Sequence, residues 1–122
     1  MAEYDGGDWI YSQLSDMTLD YIGNSRKVPE SITGMDTANF YLVVPNDPRV
    51  DYWQAEWSVD CRSDDEIKAQ DTAREVITRL NRKQSAVGGL EYYATCTRGG
   101  IVPPANDADC CNVPVSVILR RR

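Results

Sequence analysis

The sequence predicts an α+β domain: a mainly antiparallel, twisted sheet of about four strands with two helices packed on one face. Three observations lead there. Residues 51–61 alternate cleanly between apolar and polar, residues 63–82 read as a capped amphipathic helix, and two further alternating runs occupy residues 90–97 and 111–119. The 122 residues suffice for one hydrophobic core and are too few for two, so the chain reads as a single domain over 1–122.

From the N-terminus, Asp8–Ile22 reads as a helix, with Ile10, Tyr11, Leu14, Met17, Tyr21 and Ile22 on one side of a 3.6-residue wheel. Asp8 is placed to cap its start and Gly23 to take the left-handed conformation at its end. Residues 24–37 form a polar loop with room for a short strand at Ser31–Met35. Ala38–Val44 reads as a strand, and Pro45-Asn46-Asp47-Pro48 as a turn.

In the long strand from Asp51 to Cys61, Trp53, Ala55, Trp57, Val59 and Cys61 point one way, and Tyr52, Gln54, Glu56, Ser58 and Asp60 the other. One buried and one polar face suggest a sheet covered by helices on a single side. Ser63 with Glu66 forms a capping box for a helix from about Asp64 to Arg82, whose apolar stripe is Ala69, Ala73, Val76, Ile77 and Leu80. Asp64–Lys68 and Glu75–Arg79 have the spacing of ion pairs on its wet side. After Gly88-Gly89, Leu90, Tyr92, Ala94 and Cys96 alternate with Glu91, Tyr93, Thr95 and Thr97. Pro103-Pro104 stiffen the loop that follows. The final strand turns Cys111, Val113, Val115, Val117 and Leu119 inward, and Pro114, which has no N–H to donate, favours an edge position for it.

Composition narrows the function. Histidine is absent, removing the commonest general base and neutral metal ligand, and no glycine-rich loop leads into a Lys-Ser/Thr pair. Carboxylate pairs sit at a helix start (Asp64-Asp65) or in a loop (Asp107 and Asp109), where solvation explains them. The four cysteines, at 61, 96, 110 and 111, lack zinc-ligand spacing; three share the inward phase of their strands and read as core thiols. No catalytic residue, cofactor site or metal site is expected. With 19 acidic and 13 basic residues the net charge is −6, which disfavours a nucleic-acid footprint. Residues 1–25 lack a signal-peptide pattern, and the most apolar run, Ala38–Pro45, falls far short of the roughly 18 residues that span a membrane. The expectation is a protein made in the cytosol with reduced thiols.

What remains is surface for binding other proteins. The interface candidates are Trp9, which lies off its helix's apolar stripe; the polar strand face Tyr52, Gln54, Glu56 and Ser58; the loop residues Ile101, Pro103, Pro104 and Asp107; and the basic terminus Arg120, Arg121 and Arg122.

The order helix, strand, long strand, capped helix, strand, strand resembles the tail terminator (tail-completion or minor capsid) family of long-tailed bacteriophages. The stretch VDYWQAEWSVDCRSDDEIKAQDTAREVITRLN at residues 50–81 carries most of the resemblance, and VPVSVILRRR at 113–122 resembles the family's closing strand. The resemblance implies a structural virion protein of the tail and neck, made in the host cytoplasm. It implies a homo-oligomer, a hexameric ring, that caps the head-proximal end of the tail tube and stops its polymerisation. Its partners would be the tail tube protein and a head-closure or connector protein, with DNA passing through the lumen without specific binding and no membrane contact. The alternatives are another neck protein, or a small cytosolic adaptor or inhibitor.

Overall fold

The computed structural model describes residues 6–24, 36–48, 52–96 and 110–121. In chain order the elements are α1 (Gly7–Leu14), β1 (Tyr21–Asn24), β2 (Thr37–Pro48), β3 (Trp53–Arg62), α2 (Glu66–Leu80), β4 (Lys83–Val87), β5 (Leu90–Cys96) and β6 (Cys110–Arg121). The strands form one sheet in the order β1-β2-β3-β6-β5-β4. The expected sheet of about four mainly antiparallel strands is therefore corrected to a six-stranded mixed sheet: β1 runs parallel to β2, and the other neighbours are antiparallel.

Both additional strands have physical explanations. Tyr21 and Ile22 extend the helical phase of residues 10–17, yet α1 ends at Leu14 and they pair with Thr37 and Ala38 in β1. Ser12 and Ser15 turn their hydroxyls back onto the carbonyls of Trp9 and Ser12, the local competition that weakens a helix end. Asp20 and Asp36 then clamp the entry to β1, the Asp20 amide donating to the Asp36 carbonyl and the Asp36 amide to the Asp20 side chain. Gly23 lies within β1 and terminates no helix. At the opposite edge, β4 carries almost no alternation of burial, so its sequence is silent about strand structure. It is held by pairing with β5 across the two-residue turn Gly88-Gly89. Gly88 has φ +60°, the positive value that the first position of a type II′ hairpin turn requires.

Pro45–Pro48, expected as a turn, extends β2 across two register shifts against β3. The irregularities accommodate residues that a regular ladder would exclude. β6 is likewise central, between β3 and β5, where Pro114 suggested an edge. On the β3 side Pro114 keeps its place in the ladder, opposite Ser58.

At the start of α2 the capping residue is Asp65, whose side chain accepts from the Ile67 amide at 3.0 Å, in place of the predicted Ser63. Ser63 is buried; its hydroxyl accepts from the Asp65 amide and donates to Asp36, tying the helix start to the entry of β2. Lys68 correspondingly approaches Asp36 at 4.0 Å, while Glu75–Arg79 pairs as its spacing predicts.

Both helices contribute to a single core on one face of the sheet. Ala69, Ala73, Val76 and Leu80 of α2 meet Ala55, Trp57, Val59 and Cys61 of β3 and Cys111, Val113, Val115, Val117 and Leu119 of β6, all buried. Small alanines let the helix approach closely, and each large apolar side chain withdrawn from water contributes about 1.5–3 kcal/mol. Arg79 fastens the two helices: it donates to the Gln13 carbonyl at 3.1 Å and pairs with Asp16 and Glu75. Burial works against its charge, but those two carboxylates outweigh it and hold the guanidinium pKa above its ordinary value.

Candidate functional site on the helix-free sheet face

The sheet's other face carries no described helix, and alternation brings the outward residues of five strands together there. From the β3–β6 register, Gln54 stands opposite Ile118, Glu56 opposite Ser116, Ser58 opposite Pro114 and Asp60 opposite Asn112. From β5, Glu91 and Tyr93 pair with Arg120 and Ile118; from β4, Gln84 pairs with Tyr93; from β2, Tyr41 pairs with Ser58.

Among the described residues of this face lie two open hollows. One, of about 330 Å³, is lined by Tyr41, Val43, Glu56, Trp57, Ser58, Asn112, Pro114 and Val115. Three of its lining residues are tied together through hydrogen bonds: the Asn112 amide donates to Ser58 and, at 2.7 Å, to Asp60, and the Tyr41 hydroxyl reaches Asp60 at 3.4 Å. The other, of about 420 Å³, is lined by Tyr52, Gln84, Glu91, Tyr92, Tyr93, Ile118 and Arg120. The Arg120 guanidinium spans its rim to Glu91 at 2.7 Å. Between them Gln54 donates to the Ser116 hydroxyl at 3.2 Å.

The sequence-derived candidates divide accordingly. Tyr52, Gln54, Glu56, Ser58 and Arg120 share this face, but to different degrees. Tyr52 and Arg120 are exposed, Gln54 and Glu56 are half-buried, and Ser58 is buried beside Asn112. Trp9, expected to be exposed, is 4% exposed: it belongs to the core, stacked on Tyr92 with ring centroids 5.1 Å apart. The buried side of the short α1 consists of Gly7, Trp9, Ile10 and Leu14, so a residue off the predicted stripe lies on it. Ile101, Pro103, Pro104, Asp107 and Arg122 lie outside the described residues, as does the possible strand at Ser31–Met35; Arg121 pairs with Leu90 at the end of β6.

Sequence reasoning passed over Tyr41, Tyr93, Asn112 and Ile118. The signal for Tyr93 was present in its outward phase beside Glu91, whereas the others become part of one surface only through the register between strands.

Among the described residues, no group of three or more His, Cys, Asp or Glu side chains is arranged to hold a metal ion, and no helix is long and apolar enough to cross a membrane. The cysteines that share the inward phase, Cys61, Cys96 and Cys111, are buried in the core. Burial pushes Cys96 up to about 11 and raises Cys111 as well, with the Glu66 charge adding to the latter, so neither is a ready thiolate.

No family model and no curated protein matches the chain. Solved structures do. A chain of a structure described as the virion of a native gene transfer agent (GTA) particle matches with TM-score 0.55 and 12% identity, over 92% of this chain and 90% of that one. A second solved chain matches with TM-score 0.51 and 17% identity, over 99% and 89%. At these identities the likeness establishes a shared fold, and it spans nearly the whole of each chain.

Proposed function

We propose that this protein is a structural component of a phage-type virion: a tail terminator that forms a hexameric ring on the head-proximal end of the tail tube, ends tube polymerisation and joins the tail to the neck. The observation that carries the reading is the near end-to-end fold likeness to a chain of a gene transfer agent virion. Three features support it. Among the described strands the sheet ends in β1 and β4, and head-to-tail rings need two different contact surfaces on each subunit. The helix-free face presents tyrosines and a rimming Arg–Glu pair, the residue types that anchor protein interfaces. The net charge of −6 suits a lumen through which DNA slides without sticking.

The test is localisation in assembled particles. A tagged chain should sediment with purified tails from a mutant that makes no heads, and cryo-EM should show a sixfold ring at the tube end. Location in the capsid-bound neck instead of on free tails would make it a head-closure or connector protein. Absence from virions would sink the structural reading and favour a cytosolic adaptor.

A further inference from the structure

Cys61 and Cys111 are direct register partners on the adjacent antiparallel strands β3 and β6. Both are buried, 0% and 1% exposed, on the same core-facing side of the sheet. Residues directly opposite in an antiparallel pair have Cα atoms about 4.5–5.5 Å apart, inside the roughly 4.4–6.8 Å that a disulfide spans. The third core thiol differs. Cys96 stands opposite Val115, four positions along β6 from Cys111, with no cysteine across from it.

We propose that Cys61 and Cys111 are a convertible dithiol, reduced where the chain is made and closing to a cross-strand disulfide under oxidising conditions. The bond would staple the two central strands of the sheet. The oxidant is a low-molecular-weight disulfide such as oxidised glutathione. One cysteine thiolate attacks a glutathione sulfur and releases one glutathione thiolate. The second cysteine thiolate then attacks the protein sulfur of the mixed disulfide and releases the other. Two electrons pass from the cysteine sulfurs to glutathione, and the two thiol protons end on the released thiols. Because both sulfurs are enclosed, exchange needs the strands to open, so closure in the folded chain is slow and refolding in the oxidant gives the same bond faster. This chemistry stands independently of the virion proposal. If that proposal holds, release from a reducing cytosol supplies the change of environment.

The test refolds the full chain in a glutathione redox buffer, blocks remaining thiols and maps linkages by mass spectrometry. The expected product has lost two hydrogens and links residues 61 and 111. It has a higher thermal midpoint than the reduced chain, and reductant reverses the shift. C96S should form the same bond, whereas C61A and C111A, which keep a small side chain in the core, should not. If either alanine variant fails to fold, linkage mapping of the wild-type chain decides alone. Four alkylatable thiols after refolding, or a linkage through Cys96 or Cys110, would overturn the proposal.

Discussion

Replacing Gly6 with alanine should destabilise the domain more than any ordinary surface substitution, for two separable reasons. Gly6 precedes α1 with φ +86° and ψ 9°, a left-handed conformation that costs an L-residue about 1–2 kcal/mol. A β-carbon there would also lie 2.9 Å from Val117 Cγ1, inside van der Waals contact with a fully packed strand. Overpacking of this kind typically costs about 1–3 kcal/mol. The sum, about 2–5 kcal/mol, is a large share of the 5–15 kcal/mol typical of such domains. Urea denaturation followed by circular dichroism should show the midpoint falling by roughly 2 M, from a central loss of about 3.5 kcal/mol and a slope of about 2 kcal/mol per M. A double-mutant cycle separates the causes. Val117→Ala alone removes about two buried carbons' worth of burial, roughly 1.6 kcal/mol before any cavity effect. In the Gly6→Ala background it should cost at least about 1 kcal/mol less, because it relieves the clash while leaving the backbone strain. A Gly6→Ala protein within about 0.5 kcal/mol of wild type, or a cycle additive within that margin, would refute the close approach of α1 to β6.

Other expectations rest on equally local features. Phe40→Ala, at a fully buried site packed against Trp57 with centroids 5.8 Å apart, should cost about 3–5 kcal/mol by calorimetry or denaturation. Asp65→Ala should remove the α2 cap for about 1 kcal/mol, and Asp65→Asn should retain most of it. In pH titrations of stability, Cys96 acts in one direction. Its folded pKa of about 11 lies above the ordinary value of 9.0, so its stabilising contribution is complete below about pH 9 and is lost as pH rises toward 11. Cys96→Ala should flatten that part of the profile.

The centre of the fold was legible because its local signals agree with its environment. In β3 and β6 the apolar phase is unbroken, and in α2 the stripe from Ala69 to Leu80 matches the buried face. Misreadings arose where one residue serves two patterns. Ser63 has the chemistry of a cap but donates to Asp36, a contact between positions 27 residues apart. Tyr21 and Ile22 suit a helix wheel and a strand equally, and pairing with β2 decides between them. β4 has no apolar phase to read, since backbone pairing and the turn at Gly88 hold it in place. For the candidate site, Tyr52, Gln54, Glu56 and Ser58 were correctly assigned to one strand face. Which of them reaches solvent depended on their cross-strand neighbours, which no single-strand pattern encodes.

That dependence leads to the sharpest test of the surface. Asn112 covers Ser58, Gln54 is engaged with Ser116, and Arg120 is engaged with Glu91. The large side chains left open on the helix-free face include Tyr52 and Tyr93, at 36% and 38% exposed, flanking one hollow. If this face binds a neighbouring subunit or the tube, the double variant Tyr52→Thr/Tyr93→Thr should lose assembly without losing its fold. Threonine retains the preference for strand structure, so the stability change should stay within about 1 kcal/mol. Interface tyrosines that act as anchors cost 2 kcal/mol or more each on truncation, roughly 30-fold in affinity. Incorporation into particles, measured by immunoblot against a tail protein, should therefore fall at least tenfold while the thermal midpoint barely moves. Normal incorporation of a stably folded double variant would move the assembly surface off this face, and the sheet edges β1 and β4 would then be the places to look.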